Sequence, residues 1–147
     1  MVLVGLVAAA CSANPAADPG VTGTVDGSPT TTIIEAVHVD RLEGSSSNLG
    51  NTWTADVTVT LVDSAGEPVA GATVTGVWAI DEISEQSCET GTTGQCNLTS
   101  EPLKKNVNDA TLTIEAVEHP TLVYRSTDDH DPDPQTDGTS ITVSKTN

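Results

Sequence analysis

Phenylalanine is absent from this 147-residue chain, and aromatic residues make up only 2% of it. Any core must therefore be built from Val, Leu, Ile and Ala, with Trp53, Trp78 and Tyr124 as the few large pieces. The same shortage counts against a carbohydrate-binding module, because sugars commonly stack on exposed aromatics and all three here have core places. Basic residues are nearly as scarce: 5 Lys and Arg stand against 21 Asp and Glu, a formal net charge of −16. Nucleic acid is excluded as a partner, since its phosphates need cationic neutralisation. Adsorption to anionic lipid by charge alone is excluded too. Long apolar runs are missing: the only one, Val2 to Ala10, falls far short of the roughly 20 residues a transmembrane helix needs. No G-x-S-x-G elbow is present around Ser45, Ser46 and Ser47, and nothing else marks a nucleophile. The expectation is a chain that is not an enzyme and has no small-molecule substrate.

Cysteine is sparse and odd in number, three in all. Val2 to Ala10 ends in Ala-Ala-Ala-Cys, and the run resembles a bacterial lipoprotein signal, in which small residues precede a Cys that is lipidated and becomes the mature N-terminus. That reading assigns residues 1–10 to a signal peptide and places the lipid on Cys11. An ordinary signal peptide is the alternative. No Lys or Arg precedes the run, which fits a start further upstream. Residues 11–32, rich in Ala, Pro, Gly, Asp, Ser and Thr, read as the lipidated Cys and a flexible linker. Extended, it spans on the order of 65 Å. Ser12 after the Cys resembles the sorting pattern for the outer membrane. The expected location is the extracytoplasmic cell envelope, with the membrane as a partner through the lipid.

Residues 33–147 carry a different rhythm. Trp53, Ala55, Val57, Val59 and Leu61 alternate with Thr54, Asp56, Thr58 and Thr60, the period of a strand with one buried face. Ser64-Ala-Gly-Glu-Pro is a turn, with Gly66 free to adopt positive φ. Val74, Gly76 and Trp78 share one parity of the next strand, and Gly76 makes room for a large neighbour, Trp53 or Trp78. Leu112, Ile114 and Ala116 share another, and Ile141 and Val143 a last one. Ile33 to Leu42 is a strand of mixed pattern, with no clear facing. Glu43 to Asn51 and Asp81 to Gln86 read as loops. Cys88 and Cys96 bracket Glu-Thr-Gly-Thr-Thr-Gly-Gln, a tight hairpin stapled by a disulfide. A metal half-site is the other reading of that spacing, and no second Cys pair completes it. Short strands separated by turns predict an all-β sandwich of about seven strands.

Asp128, Asp129, Asp131, Asp133 and Asp137 crowd one loop. They offer oxygens of the kind calcium takes. A solvated charged loop is the competing reading, and the spacing is not that of an EF-hand. His130 among them reads as a surface residue ahead of a zinc ligand, and His38 and His119 as structural.

The run Asp63-Ser-Ala-Gly-Glu-Pro-Val-Ala-Gly-Ala-Thr-Val resembles the signature of bacterial Ig-like domains of the invasin and intimin type, D-x-x-G-x-P-V-x-G-A-x-V. Cys88 to Cys96 resembles the hairpin that follows it. The tail from Leu122 to Val143 is similar to Ig-like domains appended to secreted bacterial proteases, in which an Asp-rich run suggests calcium. Here Pro134 and Gln135 depart from that run. The resemblance implies an Ig-like Greek-key sandwich that acts as a spacer, an adhesion module or a protein-binding module at the cell surface. The alternative it implies is an accessory module serving a secreted hydrolase. Neither needs a cofactor, with calcium at the acidic loop the one exception to be tested.

Overall fold

The computed structural model describes residues 35–80, 83–134 and 136–146. The proposed signal, Cys11 and the linker lie outside them. Among the described residues the chain is all-β, with one short 3-10 turn at Ser126–Asp128. Seven strands have five residues or more: β1 (Ala36–Asn48), β2 (Thr52–Asp63), β3 (Thr73–Ala79), β4 (Ile83–Glu89), β5 (Gln95–Thr99), β7 (Asp109–Glu118) and β9 (Ser140–Ser144). Two have two residues: β6 (Leu103–Lys104) and β8 (Val123–Tyr124). One sheet runs β5-β2-β1-β8, with β6 also on β2; the other runs β4-β3-β7-β9.

The alternation in β2 sets the core. Trp53, Ala55, Val57, Val59 and Leu61 are all at most 1% exposed. Across from them lie Val74, Trp78 and Leu112 of the second sheet. Burying a Val or Leu side chain stabilises by about 1.5–3 kcal/mol, so this face favours the two-layer arrangement strongly. Gly76 is where the layers meet most closely. A Cβ there would lie 2.8 Å from Leu98 Cδ1 and 2.9 Å from Leu112 Cδ1. The neighbours it accommodates are thus two leucines, in place of the expected Trp53 or Trp78.

Two bulges explain the irregular patterns. The β1–β2 register shifts between Val39 and Arg41. Val37 and Val39 point inward before it and Leu42 after it, so the inward parity changes in mid-strand. The β3–β7 register shifts between Thr75 and Gly76, with Ile114 and Ala116 on either side. Beyond that point Val117 is buried and Ala116 is not, which corrects the expectation that Ala116 shares the inner face with Leu112 and Ile114.

Three loop expectations also change. Glu43 to Asn48 continues β1, held by pairing through Asn48–Trp53. Ile83 to Gln86 belongs to β4, an edge strand paired with β3 from Ile83–Ala79 to Glu89–Thr73. The disulfide Cys88–Cys96 is formed, but it does not close a hairpin. Cys88 pairs with Val74 in one sheet and Cys96 with Val59 in the other, so the bond ties the two layers together at their shared edge.

The two tryptophans differ in a way that alternation does not reveal. Trp53 Nε1 donates to Val107 O at 2.9 Å. Trp78 Nε1 is buried and finds no acceptor among the described residues. Trp53→Phe is expected to cost about 1–3 kcal/mol, because it strands the Val107 carbonyl, and Trp78→Phe to cost clearly less, because it removes an orphaned donor along with the lost volume. Urea denaturation of the pair checks this. Equal losses would contradict the difference.

Candidate functional site

The free side of β1 is where the fold has unfinished hydrogen bonding. Ala55 and Leu61 direct their main-chain groups toward the β5 side, through Ser100 N to Ala55 O and Leu61 N to Gly94 O. Their neighbours Asp56, Thr58 and Thr60 therefore bond to β1, opposite Ser45, Glu43 and Arg41. Leu42, Gly44 and Ser46 are left aiming their main-chain groups outward. By the same alternation, Lys145 N to Asn108 O and Ile114 N to Thr139 O place Ser140, Thr142 and Ser144 of β9 with outward-facing groups.

The acidic loop covers the first part of this edge. β8 pairs with β1 in parallel at Ala36–Val123 and Val37–Tyr124. The chain then follows β1 through Arg125 N to Val37 O and His130 N to Val39 O. Where strand pairing ends, carboxylates take over. Asp129 Oδ1 accepts from Val39 N at 2.7 Å, and Asp131 Oδ2 from Leu42 N at 2.5 Å. Asp129 Oδ2 also accepts from Tyr124 Oη at 2.5 Å. Capping an edge with charge discourages unwanted pairing.

The five aspartates singled out from the sequence do different jobs. Asp128 pairs with Arg125 at 3.9 Å. Asp131 Oδ1 accepts from Asp133 N, and Asp137 Oδ1 accepts from Thr139 N, Thr139 Oγ1 and Ser140 N. The structure brings no three His, Cys, Asp or Glu side chains together as a metal site among the described residues. His130 Nε2 lies 3.3 Å from Asp40 Oδ1, and its ring is 5.6 Å from that of His38. His119 Nδ1 accepts from Leu122 N and so holds the turn before β8. Ser46 Oγ bonds Thr146 Oγ1 at 2.6 Å, which gives that serine a structural partner.

The electrostatics follow from these bonds. The Thr139 hydroxyl and main-chain donors hold the Asp137 carboxyl below its usual range. Main-chain donors of Glu67 and Ala65 do the same for Asp63 in the turn after β2. Both turns therefore gain stability that is present above pH 3.8 and is lost as the pH falls below it. Burial raises Asp129 despite its hydrogen bonds. Its contribution has the opposite sign and weakens as pH rises past 3.8.

Tyr124 is also raised, first by burial and then by its bond to Asp129. The unfolded chain releases this phenolic proton near pH 10.0 while the folded chain keeps it. Its contribution is complete below that pH and is lost as pH rises above it. Tyr124→Phe is expected to cost about 1 kcal/mol at neutral pH and to flatten the alkaline loss of stability relative to the parent. Denaturation at about pH 9 and 11 checks it, against a single-tyrosine absorbance titration. A parallel decline in parent and variant would contradict the Tyr124–Asp129 latch.

Past Asp131 the two edges stay open. Between β1 from Leu42 to Ser46 and β9 from Ile141 to Ser144 runs an open groove of about 950 Å³, with Asp131 and Asp133 at one end and Thr146 at the other. Gly44 brings the strands close: a Cβ there would lie 2.7 Å from Val143 Cγ2. Such a seam offers main-chain donors and acceptors to an added strand. The sequence carries no local sign of it, because the residues that meet are some 90 to 100 positions apart. A comparison with family models, curated proteins and solved structures matches none.

Proposed function

We propose that this domain is an Ig-like Greek-key sandwich, carried on a lipid-anchored stalk in the bacterial cell envelope, and that it acts without catalysis as a structural or protein-binding module. The strand order supports the Ig-like reading. Consecutive strands β2 and β3 lie in different sheets, and the later pair β5 and β7 flanks them in the same two sheets. Cys11 supplies the anchor and residues 11–32 the stalk. Partners add a strand along the seam between β1 and β9.

One observation carries the binding role. The β4 and β5 edges are tied to each other by the disulfide, while on the β1/β9 side an open groove of about 950 Å³ runs between two edges without strand partners past Asp131. The full-length chain is used as bait against envelope fractions, beside Thr142→Pro and Ile83→Ser. Thr142 is an exposed β9 position whose N–H faces the groove, so proline there removes a donor that only a partner would use. A partner lost with Thr142→Pro and kept with Ile83→Ser is the expected result. A partner held equally by all three contradicts seam binding, and a hydrolase among the captured proteins selects the accessory-module reading. Intact-mass analysis of membrane-derived protein is expected to show diacylglycerol on Cys11.

A further inference from the structure

The groove has electrical polarity, and it ends at the one cationic spot on an acidic molecule. Of the five basic residues, Arg41 pairs with Glu43 at 3.5 Å and Arg125 with Asp128. The three lysines make no ion pair among the described residues. They are Lys104 of β6, Lys105 beside it, and Lys145 just past β9. All three lie at the end of the sandwich where β1 finishes, roughly 40 Å along that strand from Glu35.

This end is held in place. Val107 N donates to Lys104 O, the Trp53 indole donates to Val107 O, and Lys145 Nζ donates to Lys105 O at 2.7 Å. A cleft of about 230 Å³ opens there, lined by Asn48, Thr52, Trp53, Lys105, Lys145 and Thr146. Thr146, bonded to Ser46 Oγ through its main-chain N–H and its hydroxyl, lines the long groove as well, so the two adjoin at that residue. Grouping ammonium ions while 21 carboxylates are available costs mutual repulsion, and a bound anion relieves it. The surrounding negative charge disfavours a polyanion, which leaves a single anionic group as the fitting ligand.

We propose that the lysine cleft receives the C-terminal carboxylate of an extended peptide lying in the seam. This rests on the strand-addition reading above and adds the peptide's direction and its end group. β1 and β9 both run toward the cleft, and Asp131 and Asp133 stand at the far end of the groove. A peptide lying parallel to β9 places its N-terminal side by those carboxylates and its C-terminus by the lysines. The reverse direction opposes charge at both ends. From Leu42 to Asn48 the seam is about 20 Å long, room for roughly six residues.

The test titrates isotope-labelled full-length protein with acetyl-Thr-Val-Thr-Val-Thr-Val as the free acid and as the C-terminal amide. The acid is expected to bind about tenfold or more tightly, the scale of a charge-assisted contact. It should shift the amides of Lys105, Lys145 and Thr146, and the Trp53 indole N–H, beyond what the amide form does. Lys105→Gln with Lys145→Gln should erase the difference between the two peptides while both still shift Thr142 and Ser144. Equal binding of acid and amide along the seam overturns the carboxylate site and leaves strand addition standing. Absence of any seam shift overturns both. Lysine-cleft shifts that arise from protein concentration alone assign the cleft to a second copy of the chain and overturn the peptide.

Discussion

Gly94→Val is expected to lower unfolding free energy by about 3–5 kcal/mol, the sum of a left-handed backbone strain and an overpacked contact. Gly94 sits at φ +72°, and a Cβ placed on it would lie 2.6 Å from Leu61 O and 3.0 Å from Val69 N. Both are main-chain atoms in a bonded crossing: Val69 N donates to Leu61 O, and Leu61 N donates to Gly94 O. Neither can retreat without loosening the crossing between the sheets. Gly66 gives the control. It has a similar φ of +81°, and a Cβ placed there would meet nothing within 4 Å, so Gly66→Val should lose only about 1–2 kcal/mol. Urea denaturation separates the two, and equal losses would mean that the 90–94 crossing is not packed onto β2.

Removing the disulfide is expected to cost about 2–3 kcal/mol by chain entropy, a fall in Tm of about 10 °C for a domain of this size. Cys88→Ala with Cys96→Ala is the variant, and scanning calorimetry in parallel with the reduced parent is the measurement. The crossing between the two cysteines keeps some order of its own. Thr90 is buried, donates through Oγ1 to Val69 O and accepts there from Ala72 N. The variant should therefore remain folded while β4, held afterwards only by β3, exchanges its amides first. A loss below about 1 kcal/mol would show that the covalent tie between layers contributes little.

Much of this architecture is readable where burial repeats every second residue. β2 is the clearest case, because no bulge interrupts it and each inward residue is apolar. β1 and β7 are harder, since a single extra residue reverses which side chains face inward and no residue type announces it. β4 escapes a sequence reading for another reason. Ile83-Ser-Glu-Gln-Ser-Cys-Glu has little apolar alternation, as an edge strand exposed on one face and only half-buried on the other needs none. The tight spacing of the two cysteines then suggests a hairpin, where the chain in fact steps from one layer to the other.

The acidic loop shows the same limit on the functional side. Its charge is plain, and so is the choice between a cation and solvent. That Asp129 and Asp131 bond main-chain donors of β1 depends on contacts 89 and 90 positions apart. The Asp137-Gly-Thr-Ser turn is legible, because its partners lie within three residues. The seam arises only when β1 and β9 are brought side by side, and the lysine cleft only when the ends of β1, β6 and β9 meet around the start of β2.

Proton–proton contacts across the strands test the two-layer account most directly. Thr58 with Asn97, and Thr75 with Ser87, are facing pairs without mutual main-chain bonds, so their Hα atoms should give strong cross-peaks. Strong Hα contacts between β4 and β5, such as Ser87 with Asn97, would instead put both cysteines in one hairpin and contradict the stapled sandwich.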